Sequence, residues 1–248
     1  PGESIPMTDS DPATEPDSAP GTDPATEADP ATEPDSAPDP RPTTAGRYRV
    51  LGRPRDPAEL LLVTIDADDG SDAAFDPVYV DTTGYDGGLA EAVEELHAGA
   101  LVDATLSWRG GDPRFASLDV VADTVFEFYD GVTGTFEAAK NAWMVAEADN
   151  EGMNARVTRD TDGEPNGALY VFAKQSGARD LFEEFRTGVR PLSPLVSRVD
   201  EAESVPPEVD QPRATFVLRP ADEPFVVVYV AFRRDGVLAE TMRSTYGE

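Results

Sequence analysis

Arg41, Arg47, Arg49, Arg53 and Arg55 crowd into a stretch with no acidic residue between positions 40 and 55. The chain as a whole has 49 acidic against 20 basic residues, so this stretch is set apart from its surroundings. Arg109 and Arg114 bracket a second basic turn, RGGDPR, with Trp108 and Phe115 on either side. A guanidinium presents paired N–H donors that match phosphate oxygens. An aromatic ring next to it can stack on an unpaired base. Arg47, Arg49, Arg53, Arg55, Arg109 and Arg114 are therefore candidate phosphate contacts. Trp108 and Phe115 are candidate stacking platforms, and the ligand class is single-stranded nucleic acid. The plainer alternative has the arginines neutralised by neighbouring carboxylates and Trp108 packed in a core, as half-buried strand aromatics commonly are.

A second constellation surrounds a hairpin. Asn154, Arg156, Arg159, Asp160, Asn166 and Lys174 place varied polar groups close in sequence. Lys174 is one of only two lysines, beside Lys140. A lysine retained in a chain that otherwise uses arginine suits an anion contact or a nucleophile. The competing reading is a solvated turn, since DTDGEPNG is ordinary turn chemistry. Several chemistries are excluded. With no Cys there is no disulfide, thiolate nucleophile or cysteine metal site. With one histidine, His97, multi-histidine metal sites have no donors, and His97 reads as structural. No nucleotide-loop, zinc-protease or serine-hydrolase motif occurs. The acidic run DADDGSD at 66–72 departs from calcium-loop spacing and lacks the closing glutamate. No cofactor and no metal are expected, and the balance leans away from catalysis.

The elements carrying the first constellation read as strands at 47–51, 60–65 and 77–80. A helix with Leu89, Val93 and Leu96 at helical spacing follows, and then a hairpin at 101–108 and 115–121, with 124–128 as a possible extension. Three strands, a helix and a hairpin is the order of the OB-fold, a five-stranded barrel that binds oligonucleotides through one sheet face and the loops after strands one and four. Residues 43–128 are expected to form such an OB-like barrel.

Residues 129–248 read as an α+β unit. It opens with a helix near 135–148, and residues 155–183 then resemble residues 214–242. Each copy reads strand, turn, strand, helix. The expectation is a duplicated β-hairpin-helix forming a four-stranded antiparallel sheet with its helices on one side. The runs at 168–173 and 225–232 are continuously apolar, which suits central strands buried on both faces. Ser193-Pro194 marks a short helix start, with serine as its cap.

Residues 1–42 form a Pro-rich tail in which DPATEPDSAP occurs twice. Residues 1–40 carry 11 acids and no base. Such a segment has too little apolar surface to offset its ordering entropy. It is expected to be disordered, either as a solubilising extension or as an arm for a protein partner. The formal net charge of -29 is not a property of the tail alone, because the remaining residues also carry a large acidic excess. Self-repulsion on that scale is relieved only when salt is dense enough to screen it, with a Debye length near 3 Å at about 1 M. A salt-adapted, cytoplasmic protein is the expectation. No apolar run approaches a membrane span, and no secretory signal is visible. The stretches GRYRVLGRPRD, VYVDTTGYD, LVDATLSW and EGMNARVTRDTDGEPNGALYVFAKQSGARDLFEEF resemble an uncharacterised family of haloarchaeal proteins. That resemblance covers about residues 45–248. It implies a lineage and assigns no activity and no functional residue.

Overall fold

The structure is a computed structural model that describes residues 42–65, 77–109, 112–175, 177, 179–201 and 205–247. Residues 1–41 of the tail and the DADDGSD run lie outside the described residues. The chain divides into two units, 1–39 and 40–248, and the fold below is that of the second.

Alternation of apolar and polar residues builds the first sheet. Its strands are β1 (Thr43–Gly52), β2 (Glu59–Thr64), β3 (Pro77–Asp81), β4 (Leu101–Arg109) and β5 (Asp112–Ala122), with helix α1 (Gly87–Glu95) between β3 and β4. The order is β1-β2-β3-β5-β4, and β1 also pairs with β4, so the sheet closes on itself. Tyr48, Val50, Leu60, Leu62, Val80, Val102, Ala104, Leu106 and Phe115 fill the interior, with Val93 of α1 plugging it.

The second sheet holds β6 (Val125–Val132), β7 (Met153–Arg159), β8 (Pro165–Ala173), β9 (Ala214–Pro220) and β10 (Phe225–Ala231), in the order β6-β9-β10-β8-β7. The protein is thus mixed α+β with two five-stranded sheets. The expected four-stranded sheet is corrected. Residues 125–132 do not extend the preceding hairpin but form β6, which pairs in parallel with β9. A boundary at 128/129 would fall inside this strand.

Both expected hairpins are present, β7–β8 and β9–β10, joined through β8–β10. Their helices do not share a side. β10 alternates strictly: Val226, Val228, Val230 and Phe232 enter one core layer, and Phe225, Val227, Tyr229 and Ala231 enter the other. The second layer holds α2 (Glu137–Ala148) and α5 (Val237–Tyr246), through Ala139, Ala142, Ala239 and Met242. The first layer holds α3 (Leu181–Arg186) and α4 (Ser193–Asp200), through Phe182, Phe185 and Val196. Tyr170 and Tyr229, matched in the sequence repeat, therefore face opposite layers. Ser193 does not cap α4 either: Leu192 holds the cap position, and the buried Ser193 hydroxyl has no hydrogen-bond partner among the described residues.

The two sheets share one core. Leu60 and Leu62 point into the closed sheet, while Leu61 and Val63 point out of it into the layer with Phe126, Tyr170 and Val228. Each such buried aliphatic side chain contributes about 1.5–3 kcal/mol. Gly188 closes on the same wall: a Cβ there would lie 2.7 Å from Leu61 and 2.8 Å from Leu51. A dry ion pair crosses the junction. Arg49 of β1, 1% exposed, donates to Glu208 Oε1 at 2.5 Å and Oε2 at 2.6 Å, and to the Gly99 carbonyl at 2.8 Å. Arg213, fully buried, bonds Asp200 and the carbonyls of Pro206 and Phe232. Among the described residues, no helix is long and apolar enough to cross a membrane.

Removing one partner of a buried pair leaves a stranded charge, whereas replacing both with apolar groups does not. Glu208→Gln is expected to lower stability by about 3–5 kcal/mol. Arg49→Met combined with Glu208→Leu should recover most of that loss. Urea unfolding in molar KCl, followed by circular dichroism, measures both.

Candidate functional site

The arginines expected on one open face are dispersed. Arg49 is sealed against Glu208, and Phe115, 3% exposed, belongs to the interior of the closed sheet beside Tyr85. Neither can touch a ligand in solution. Arg47 forms a two-point pair with Asp103 at 2.8 and 2.9 Å. Arg55 forms one with Glu59 and lies over the Tyr79 ring at 4.0 Å. Arg114 pairs with Asp81 at 2.7 Å and covers Tyr85 at 4.7 Å. Arg53 bonds the Pro57 carbonyl and the Thr82 hydroxyl, and lines a small cleft of about 260 Å³ with Tyr85 and Glu94. Trp108 is half-buried and donates from Nε1 to Thr44 Oγ1 at 3.1 Å. Arg109 ends β4, and its side chain lies outside the described residues. The face where a barrel of this strand order would take an oligonucleotide is covered on β2 by the shared core, with Tyr79 of β3 packed against the same layer.

The second constellation is also split. Asp160 organises the hairpin turn by accepting from the Asp162 and Glu164 amides, Arg159 donates to the Gly163 carbonyl, and Asn166 accepts from Thr158. Lys174 lies past the other end of β8, on the order of 27 Å from that turn at the usual strand rise. Asn154, opposite Val171, sits nearer the Lys174 end, and Arg156, opposite Leu169, sits mid-strand. Sequence proximity failed here because a strand separates its two ends.

Around Lys174 the fold assembles residues that sequence reasoning did not name. Its ammonium donates to the Pro220 carbonyl, near Arg219, Asp130, Asp180 and Asp222. Arg219 bonds Asp130 at 2.5 Å from Nε, bonds Asp180, and lies over Phe182 at 4.6 Å. The hydrogen bond from Arg219 holds the Asp130 carboxyl below its ordinary range. Burial pushes the Lys174 pKa down, and the neighbouring Arg219 adds to that shift. Only the parallel pairing of β6 with β9 and the β8–β10–β9 order bring these strand ends together.

A cleft larger than the one beside Arg53 lies elsewhere, where the loop after α1 meets β6 and α5. It encloses about 440 Å³ and is lined by His97, Glu127, Arg234, Asp235 and Arg243 over a floor of Ala98, Val125 and Phe126. His97 Nε2 is 3.1 Å from Asp123 Oδ1, an ion-pair distance with no hydrogen bond closing it. Arg234 donates to the Asp123 carbonyl at 2.9 Å and also pairs with its carboxylate. Arg243 donates to Glu127 at 2.8 Å and to the Arg234 carbonyl at 2.9 Å. Tyr129 donates to the other Glu127 oxygen at 2.6 Å, and its pKa is raised by burial first and by that carboxylate second. These residues are drawn from positions between 97 and 243, so no local sequence signal marks the cleft. Among the described residues, no group of three or more His, Cys, Asp or Glu could hold a metal ion.

Residues 40–248 match the model of a family of unknown function, DUF6663. No curated protein and no solved structure matches the chain.

An acylating reagent consumes the neutral amine, so a depressed pKa makes Lys174 reactive at lower pH than an ordinary lysine. Limited treatment with an amine-reactive ester, read by peptide mass spectrometry, should give Lys174 a pH profile displaced downward from that of a free lysine amide. Asp130→Asn, which removes a carboxylate favouring the charged amine, should displace it further.

Proposed function

We propose a ligand-binding role, without catalysis, for this chain, which belongs to the DUF6663 family of unknown function. The ligand is a small organic anion, a carboxylate or a phosphate monoester, held in the His97 cleft. The observation that carries this reading is the convergence of His97, Arg234 and Arg243 on one cleft over an apolar floor. Binding clefts favour such junctions between substructures. The Arg243–Glu127 and Arg234–Asp123 pairs are partly exposed, so their lasting strength is small and a ligand oxyanion can take the guanidinium face. In molar salt, orientation of the fork matters more than charge.

An OB-like barrel is our reading of the first sheet, supported by its strand order and by the helix between its third and fourth strands. The covered face of β2 and the internally paired arginines weigh against oligonucleotide binding by that barrel. The acidic excess and the preference for arginine over lysine support a haloarchaeal, salt-filled cytoplasm as the working environment.

His97 is the sole histidine of the chain, so its ring Hε1 proton gives one resolvable signal by NMR. In molar KCl, titration with benzoate or a nucleoside monophosphate should move that signal saturably, and Arg243→Gln should abolish the movement. No saturable shift with either probe would overturn the cleft reading. If instead a single-stranded oligonucleotide quenches tryptophan fluorescence, and Trp108→Phe removes the quench, binding belongs to the barrel.

A further inference from the structure

β7 is the last strand of its sheet, and among the described residues no strand lies beside its outer backbone edge. Among the described residues, no main-chain hydrogen bond reaches the Met153–Arg159 backbone except through its pairing with β8. Its register with β8 is regular from Met153 to Thr158 and shifts only at Arg159. The strand contains no proline and no carboxylate. Met153 and Val157, 38% and 56% exposed, stand on the same face as Ala155, while Arg156 stands on the opposite face.

Among the described residues ten arginines pair with a carboxylate, while Arg53, Arg179, Arg198 and Arg233 stand exposed singly on separate segments. What sets β7 apart is that two such arginines share one strand whose edge is open. Arg156 and Arg159 are exposed on one strand, and no carboxylate of a described residue lies within ion-pair distance of either. An open strand edge is a template for pairing unless it is blunted. Here the edge offers main-chain donors and acceptors, an apolar row and positive charge together.

We propose that β7 is a docking edge for an extended acidic segment of a partner protein, which adds to the sheet as a sixth strand. In a pleated pair, residues directly opposite share a face. The segment would therefore place a carboxylate opposite Arg156 and apolar side chains opposite Ala155 and Val157, an alternating acidic and apolar pattern. The main-chain ladder supplies affinity that survives molar salt, and the alternating side chains set the register. A second copy of this chain fits poorly. Met153–Arg159 contains no carboxylate, so in no register does β7 offer another β7 a partner for its arginines.

The test uses the full chain in molar KCl and three peptides: alternating glutamate and valine, alternating lysine and valine, and the first peptide N-methylated at every second residue along one edge. The glutamate–valine peptide should slow amide exchange at Ala155 and Val157 saturably. N-methylation should weaken binding at least tenfold, and Arg156→Glu should transfer preference to the lysine–valine peptide. The proposal fails if the β7 amides gain no protection, if N-methylation changes nothing, or if Arg156→Glu leaves the glutamate–valine affinity intact. It also fails if sedimentation shows a dimer that Val157→Lys dissolves, or if the edge protects only with an oligonucleotide. Protection at β7 and the His97 signal are read at opposite edges of the sheet, so each proposal can fail alone.

Discussion

The Arg49–Glu208 pair fixes how the two halves of the fold meet. Arg49 projects outward from β1, where a surface strand would face water. Here it faces the segment preceding β9, and it is among the largest fully buried side chains. Its hydrogen bond to Gly99 also ties down the loop after α1. Gly99 has φ +103°, and a Cβ there would lie 2.6 Å from the Thr124 carbonyl oxygen. The turn can therefore press against the start of β6 only as glycine. A buried pair of this kind adds little net stability against an apolar replacement, but it penalises every arrangement that leaves one charge without the other. It selects a docking geometry, and the His97 cleft inherits its shape from that geometry.

Arginine is the scarce reagent in such a chain. With acids in excess, each guanidinium meets many carboxylates, and most find one. Exposed pairs such as Arg55–Glu59 and Arg186–Glu183 add little individually and are screened in salt. The buried ones, at Arg49 and Arg213, are shielded from that screening and hold the junction together.

The strands of the first sheet were legible because their alternation is local. The run at 60–63 read as a strand, and the structure shows why it lacks polar positions: one side lines the closed sheet and the other joins the second core. What could not be read was pairing at long range. β6 follows β5 almost without a turn, so its parallel partnership with β9, nearly ninety residues on, leaves no local trace. Arg49 failed for the same reason. Its place in a basic stretch predicts a solvent face, and only the docked second sheet makes that face dry. The His97 cleft was least legible, since its lining comes from three distant segments. The continuously apolar 225–232 run, by contrast, is legible as a central strand, because burial on both faces is written directly into its composition.

The outward-facing Leu61 and Val63 bear on how such a protein is inherited. A small barrel with a polar exterior can be cut out, joined to new neighbours and still fold, which lets barrels of this size spread as independent parts. This one has an apolar wall where it meets the second sheet. Separated from that sheet, it would present a sticky side to solvent, and the sheet would present the matching one. The two halves are therefore expected to travel together through descent, with substitutions at Leu51, Leu61 and Val63 answered by changes at Tyr170, Val228 and Phe126 on the other side of the seam.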